Sequence, residues 1–268
     1  MNAGVAQRPW LPYVVPFTVY MLFLVLQSRW EQGLAWLYPL KTVAVAATLL
    51  AFARYYEELS VPLGRRPSAS RQAETDAAGA RPESEPRPHL LGGLLLAVAV
   101  GVVVIGLWIG IDPYYPKLNE MMAALERWLG VLWREQATAP SPSGKPFNPF
   151  TLGGGVATWT FIVFRVVGAV LVVPVMEELF WRAFLIRWLI NEDFKKVPVG
   201  AFSWPSFAIT VAMFGAEHNE WLAGLLAGVL YNWLLYRRKN VGWCVVAHAV
   251  SNAVLAAWVL IHRDWKLW

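Results

Sequence analysis

Three groups of polar side chains fall in or beside long apolar runs of this sequence, and their types are those that hydrolytic chemistry requires. The first group lies in PVMEELFWRAFLIRWL, residues 174–189, and contains Glu177, Glu178 and Arg182. A charged side chain inside a membrane span costs about 2.5–3.5 kcal/mol on insertion scales, so it tends to face the protein interior and to serve a function. These residues are therefore the first candidates for an active site.

The spacing of the first group separates its two carboxylates. Successive residues of a helix point about 100° apart, so Glu177 and Glu178 cannot share one role. Glu178 and Arg182 stand at i and i+4 and can form an ion pair. One carboxylate is then structural, and the other is free to act as a general base toward water. The alternative is a buried charge network that only fixes helix packing.

The other two groups supply imidazole and amide side chains. His218 follows the apolar run that contains Phe214, and Glu217 is its neighbour. His248 and Asn252 stand at i and i+4 inside VVAHAVSNAVLAAWVL, so both side chains project from one face of a helix. His218 could instead be an interfacial or helix-capping residue. His248 and Asn252 could instead hold neighbouring helices together.

Together these groups contain what water-driven acyl hydrolysis needs. A carboxylate and a histidine can polarise water, while a second histidine and an amide can donate hydrogen bonds to the developing oxyanion. A serine or cysteine nucleophile is not well placed, because Ser251 faces about 100° away from Asn252 and Cys244 has no activating base in sequence reach. Two histidines and a glutamate could also hold zinc. The HExxH spacing is absent, so a zinc enzyme ranks below one without a metal.

The composition is that of a membrane protein. Of the 268 residues, 57% are hydrophobic and 15% are charged, against roughly 45–50% and 25% in soluble domains. A spanning helix needs about 20 mostly apolar residues, and the hydrophobic runs lie at 11–27, 34–56, 90–111, 156–190, 202–216, 221–236 and 241–261. The net charge of +5 does not imply a nucleic-acid partner, because Lys and Arg in a membrane protein mark cytoplasmic loops.

These runs predict an all-α fold, a polytopic transmembrane bundle of seven helices, or eight if the fourth run breaks at Pro174. Residues 118–135 place apolar side chains at helical spacing, which is typical of an amphipathic helix at the membrane interface.

The chain divides into segments by composition. An N-terminal pair of transmembrane helices occupies 1–63, and a polar, Pro- and Arg-rich segment at 64–89 is predicted to be a flexible loop. A third transmembrane helix and the interfacial helix occupy 90–154, a C-terminal core occupies 155–262, and a tail occupies 263–268. The arginines of the loop place it, residues 57–63 and the N-terminus in the cytoplasm of a multi-pass cell-membrane protein.

The motifs that carry these groups resemble those of a known family. EELFWR at 177–182, FGAEH at 214–218 and HAVSN at 248–252 resemble, in order and spacing, the EExxxR, FxxxH and HxxxN motifs of the type II CAAX prenyl endopeptidases and their bacterial relatives, the CPBP or ABI membrane proteases. The similarity covers residues 155–262. The layout also looks like the subgroup found beside exosortase systems.

The resemblance implies a role for each motif residue. Glu177 is the general base, and His218 helps it to activate water. His248 and Asn252 bind the oxyanion, while the remaining motif residues, Glu178, Arg182 and Phe214, support the site. It implies no metal cofactor.

Positive-inside reasoning adds a constraint on geometry. It places 191–200 and 237–240 on the cytoplasmic side, so the helix before His218 leads away from the side from which the helix of His248 enters. His248 lies only about 11 Å along its helix. The two histidines can meet only if the segment at 202–217 is kinked, tilted or short, which predicts a polar cavity open toward the cytoplasmic half.

The sequence thus favours an integral membrane endopeptidase that hydrolyses a peptide bond of a membrane-associated protein or peptide, with an exosortase-type sorting system as a partner suggested by the subgroup. Two alternatives remain. One is a non-catalytic membrane adaptor or immunity-type protein, in which the polar groups only join helices. The other is a zinc-dependent membrane protease that uses the same residues.

Overall fold

The structure, a computed structural model, describes residues 8–30, 33–59, 90–132 and 147–267, and every regular element in these ranges is helical. The prediction of an all-α polytopic bundle is therefore confirmed. Five helical segments of the described chain are long and apolar enough to cross a membrane: Leu11–Arg29, Ala35–Tyr55, Leu90–Leu129, Gly155–Trp188 and Val241–His262.

The longer helices match the apolar runs and the amphipathic segment of the sequence. They are α1 (Leu11–Arg29), α2 (Leu34–Phe52), α3 (Leu90–Ile111), α4 (Leu118–Leu132), α5 (Gly155–Trp188), α6 (Trp204–Ala216), α7 (Trp221–Arg238) and α8 (Val241–His262). Short 3-10 turns at Ala53–Tyr55, Glu57–Leu59, Asp112–Tyr114, Pro149–Leu152, Phe194–Lys196 and Trp265–Leu267 flank them. The predicted cytoplasmic loop at 64–89 and the first seven residues lie outside the described residues.

Helix α5 runs through Pro174 without breaking, so the fourth run forms one helix. A proline lacks the N–H for the helical hydrogen bond and its ring clashes with the carbonyl four residues earlier. Here a π-helical turn at Gly168–Val172 ends two residues before the proline, and a second π-helical stretch at Leu179–Leu185 follows Glu178. The wider π turns change which backbone groups are paired, and such turns often occur at functional sites.

Helix α8 packs against α3, α5 and α7, while α6 and α7 pair as a hairpin and α1 pairs with α2. Helix α1 is fixed to α5 by aromatic packing, with the rings of Phe17 and Phe180 stacked at 3.9 Å between centroids. This packing surrounds the middle of α5, the C-terminal end of α6 and the first half of α8, which are the three places where the sequence carries its polar motifs.

Helix α4 is amphipathic, and most of its apolar side chains are exposed, including Met121, Leu125 and Trp128. It is attached at its N-terminus, where the N–H of Leu118 donates to the carbonyl of Asn219 at 2.9 Å. An apolar face that stays partly exposed suits a helix lying at the membrane interface, as the sequence predicts.

The close contact of α3 with α8 depends on Gly101. A Cβ atom at this position would lie 2.4 Å from the carbonyl oxygen of Ala247, a backbone atom that cannot move aside, whereas a Cβ at Gly106 on the same helix would meet nothing within 4 Å. We expect Gly101→Ala to lower the stability of the detergent-solubilised protein by about 1–3 kcal/mol, the usual cost of overpacking. Thermal unfolding in detergent measures this loss.

The matched control for that substitution is Gly106→Ala, which adds the same methyl group to open space and should be neutral or slightly stabilising, because alanine favours a helix over glycine. Equal melting temperatures for the two variants would show that the α3–α8 contact does not need the glycine.

A buried ion-pair network joins the turn after α2 to the end of α5. The Oε1 atom of Glu58 lies 2.9 Å from Arg187 Nη1 and 3.1 Å from Lys195 Nζ, and its Oε2 accepts a hydrogen bond from the Tyr13 hydroxyl at 2.8 Å. Burial alone would raise the pKa of Glu58, but the nearby Lys195 and Arg187 and the hydrogen bonds hold that pKa below its usual value.

This network predicts a stability that depends on pH. Because the folded state lowers the pKa of Glu58, the network stabilises the fold fully above the unfolded pKa of about 4.3 and loses its effect as the pH falls through the lower folded value. Glu58→Gln should therefore melt below the parent at neutral pH, and the gap should close in acid. A gap that stayed constant across this range, or that appeared equally for the exposed Glu192→Gln, would contradict the account.

Candidate active site

One cavity of about 230 Å³ lies inside the bundle, and side chains from each of the three motifs line it. Glu177 from α5, His218 from the turn after α6, and His248 and Asn252 from α8 all border this space. Of the site-supporting residues, Phe214 also lines the cavity, while Glu178 and Arg182 lie behind it and are almost completely buried. The structure thus brings the predicted site residues together.

Glu178 and Arg182 form the ion pair expected from their spacing. Arg182 Nη1 lies 3.1 Å from Glu178 Oε1, and the two side chains are 1% and 0% exposed. Arg182 also donates from Nε to the Asn232 amide oxygen at 3.1 Å, and its guanidinium lies 4.4 Å from the centre of the Phe214 ring. A buried charge is tolerated when it is paired and hydrogen-bonded in this way. Asn232 and Phe214 thus help to stabilise the Arg182 guanidinium in the protein interior.

His248 is oriented by the same ion pair. Its Nδ1 atom lies 3.0 Å from Glu178 Oε1, and a carboxylate that also binds Arg182 can only accept, so Nδ1 carries the hydrogen. The ring stacks on Tyr231 at 5.2 Å, and the Tyr231 hydroxyl is 2.6 Å from Ser251 Oγ. The other nitrogen, Nε2, is thereby directed toward Glu177, whose Oε2 is 4.0 Å away.

Unlike Glu178, Glu177 has no ion pair with an arginine or lysine among the described residues. Its side chain is buried, and its Oε2 atom has no hydrogen-bond partner among the described residues. Because an unpaired buried carboxylate is costly, its presence at a cavity wall is the kind of exception that catalytic sites show. This is the carboxylate that the sequence analysis left free.

His218 reaches the cavity because α6 is short. With 13 residues, α6 is about 20 Å long, less than the roughly 30 Å of a bilayer core. The sequence required the segment before His218 to be kinked, tilted or short, and the structure has a short helix there. His218 Nδ1 lies 2.7 Å from the Phe214 carbonyl oxygen, which can only accept, so a neutral ring keeps a lone pair on Nε2.

Asn252 is held by the first π-helical turn of α5. Its Nδ2 donates to the carbonyl oxygen of Ala169 at 2.7 Å. This bond uses one of the two N–H groups of the amide and leaves the other available to a ligand in the cavity. The orientation of Asn252 thus depends on an irregular helix that the apolar pattern of the sequence does not reveal.

Glu217 is a site residue that sequence reasoning did not assign. Trp181 Nε1 donates to its Oε1 at 3.1 Å, and its Oε2 has no hydrogen-bond partner among the described residues. One ligand atom from each of Glu177, Glu217 and His218 lies within 4.8 Å of the others. The available signal was its position directly before His218, at the end of an apolar helix.

Arg165 also lines the cavity, with its guanidinium 4.8 Å from the centre of the Tyr38 ring. It lies on α5, so the space between α1, α2 and α5 has cationic character that the motifs do not account for. Sequence reasoning gave this arginine no role, because it stands alone in an apolar run.

The residues that could hold a metal differ from those that the sequence suggested. Carboxylates and imidazoles are both zinc ligands, and the cluster of Glu177, Glu217 and His218 could bind one ion. The zinc alternative drawn from the sequence used two histidines and one glutamate, but His248 is not in this cluster and is engaged by Glu178.

The fold and the cavity are those of a multi-pass helical membrane protein with a buried polar site. Residues 158–254 match the family model described as type II CAAX prenyl endopeptidase Rce1-like. This region contains all three motifs, and its similarity to that family supports an intramembrane peptidase activity of the CAAX endopeptidase type. No curated protein matches the chain, and no solved structure matches it.

Proposed function

We propose that the chain is an intramembrane endopeptidase in which Glu177 is the general base that activates water. The observation that carries the proposal is the convergence of Glu177, His218, His248 and Asn252 on one cavity. Helix-joining residues of a non-catalytic adaptor would bond their neighbours directly and would not need to face a common space. The family match to the same region supports the peptidase over the adaptor.

The catalytic water lies between Glu177 and His218 in this proposal. Glu177 takes a proton from the water, and the lone pair on His218 Nε2 accepts the second hydrogen and orients the molecule. The oxygen then attacks the peptide carbonyl carbon. A buried site strengthens these interactions, because bulk water does not screen them.

The oxyanion is bound by His248 Nε2 and by the N–H of Asn252 that Ala169 does not use. Since His248 already donates its Nδ1–H to Glu178, Nε2 donates only when the ring carries both protons. Glu178, which Arg182 holds in place, then fixes the imidazole through its hydrogen bond with Nδ1. Their neighbours hold His248 and Asn252 in the orientation that binds the oxyanion before the substrate arrives.

The substrate is a membrane-associated protein or peptide, and the cavity opens toward the cytoplasmic half of the bilayer. The family match supports the first statement, and the charge distribution of the loops supports the second. A link to an exosortase-type system stays a prediction that rests on the sequence layout.

A comparison of membrane-protein fragments tests the proposal. Cells that carry the parent chain should contain peptide fragments that are missing from cells carrying Glu177→Ala at the same expression level. Glu192→Ala, which changes an exposed loop glutamate, is the control and should leave the fragments in place. Identical fragments in the parent and Glu177→Ala cells would reject the proposed base.

The proximity of Glu177, Glu217 and His218 favours zinc hydrolysis as a second candidate, so the metal-free proposal needs its own test. We expect the purified protein to cleave its substrate at an unchanged rate after treatment with a strong chelator. Loss of activity on chelation, restored by added zinc and accompanied by bound zinc in the parent but not in Glu217→Gln, would establish the metal enzyme instead.

A further inference from the structure

We propose that Leu267, in the 3-10 turn after α8, closes an apolar pocket of the active site and sets the size of the substrate side chain that fits there. The inference deepens the proposed function and rests on it, because it names a residue that selects the peptide to be hydrolysed. Leu267 lies outside residues 158–254, which match the family model. Neither the three motifs nor that match assigns it a role.

The first argument is that α8 carries apolar residues one turn beyond its proposed catalytic residues. Leu255 and Ala256 follow Asn252 at i+3 and i+4, so the three lie on one face of the helix, and all three line the cavity. One turn of helix is about 5 Å along the axis. Because Asn252 binds the oxyanion in the proposed mechanism, these apolar residues lie close to the place of the scissile bond.

Helix α3 supplies the facing wall of this pocket. A Cβ atom on Gly93 would clash with the Trp243 ring, and one on Gly101 would lie 2.9 Å from the Val250 Cβ. The two helices therefore run in the same direction, and the later residues of α3 lie beside the later residues of α8. The later residues of α3 that line the cavity are Val104, Ile105 and Trp108.

Leu267 closes the pocket near the ends of α3 and α8. Its side chain lines the cavity and is 8% exposed. The two residues before it hold the turn in place. Lys266 Nζ lies 2.9 Å from Asp112 Oδ2, just after α3, and the Trp265 ring lies 5.8 Å from the Phe150 ring between centroids. Leu267 is thus a fixed wall of the cavity.

The occupant that suits this pocket is an apolar side chain of the peptide substrate. The rings of Trp108 and His218 are in contact, with centroids 5.3 Å apart, so the pocket adjoins the residues that activate water in the proposed mechanism. An extended peptide advances about 3.3 Å per residue, so a residue beside the scissile bond reaches the pocket. Apolar walls disfavour a charged side chain, because a buried charge without a partner is costly.

Leu267 limits the size of that side chain because the helices on either side cannot separate easily. A Cβ atom on Gly101 would clash with the backbone of Ala247, so α3 and α8 are in close backbone contact. One methylene group more or less in an apolar pocket changes discrimination between substrates about 10- to 200-fold. Shortening Leu267 should therefore admit a larger substrate side chain, and lengthening it should admit only a smaller one.

A set of peptide probes tests the inference. The starting probe is a membrane peptide whose cleavage site is known from fragments present in parent cells and missing from Glu177→Ala cells. Synthetic copies carry alanine, leucine or tryptophan at the residue before the scissile bond, or at the residue after it. In Leu267→Ala, the cleavage rate for tryptophan relative to alanine should rise about 10-fold or more at one of these positions. In Leu267→Phe this ratio should fall.

Both rates of each ratio are measured on one preparation, so the ratio does not depend on how much protein is folded. Leu260→Ala makes the same change on α8 at a residue that does not line the cavity, and it should keep the parent ratio. Lys266→Ala removes the bond to Asp112 and keeps Leu267. It should shift the ratio in the same direction as Leu267→Ala, and an unchanged ratio would overturn the anchoring role of Lys266.

The role of Leu267 is overturned if Leu267→Ala and Leu267→Phe both keep the parent ratio at the two positions, or if they shift it in the same direction. A Leu267→Ala protein that melts like the parent but cleaves none of the probes would also overturn it. The proposed function fails on a different observation, namely a Glu177→Gln protein that cleaves every probe at the parent rate.

Discussion

Glu177→Gln is expected to give a folded protein that hydrolyses its peptide about 10²- to 10⁴-fold more slowly than the parent, the usual contribution of a positioned base. Glutamine keeps the size and the shape of the side chain but cannot take a proton from water. The Glu177 Oε2 atom has no hydrogen-bond partner to lose among the described residues, so stability should change little. Initial rates on a cleaved peptide, with thermal unfolding of the same preparations, measure both effects.

The matched control for this prediction is Glu192→Gln, which makes the same chemical change on an exposed loop and should behave as the parent. His218→Ala should also lose activity, because the water loses its second partner. Parent rates in well-folded Glu177→Gln and His218→Ala proteins would show that neither residue activates water.

Glu178→Ala is expected to have the largest effect on stability, about 3–5 kcal/mol, because it leaves a buried arginine without its carboxylate. The partner, Arg182, is 1% exposed and cannot turn toward water. The same substitution removes the acceptor of His248 Nδ1, so activity should fall as well. A lower melting temperature in detergent and a lower yield of folded protein report the loss.

Arg182→Ala provides the reciprocal test, since it strands Glu178 in the same buried place. The stability losses of the two single variants should not add in the double variant Glu178→Met, Arg182→Met, because removing both charges leaves no uncompensated ion. If Glu178→Ala and Glu177→Gln had equal and small effects on melting, the division of the two glutamates into a structural and a catalytic residue would be wrong.

Much of this arrangement follows from the sequence because it depends on local spacing. The pairing of Glu178 with Arg182 needs only one turn of helix, and the apolar runs give the helices directly. Positive-inside reasoning also required the segment before His218 to be kinked, tilted or short, and α6 is short.

Other parts of the site depend on contacts that spacing cannot supply. Trp181 bonds Glu217 across 36 residues, Asn252 bonds Ala169 across 83, and Arg187 bonds Glu58 across 129. The π-helical turn that presents the Ala169 carbonyl leaves no mark in the apolar pattern. For these residues the sequence gives the chemical type but not the partner.

The central claim is that Glu177 acts through water and does not attack the peptide itself. A single turnover in water enriched in heavy oxygen, with enzyme in excess over a cleaved peptide, tests it most directly. If Glu177 acts through water, the new carboxyl group of the product carries heavy oxygen from the first turnover. A first-turnover product that lacks the label, with its new oxygen supplied by Glu177 through an acyl intermediate, would contradict it.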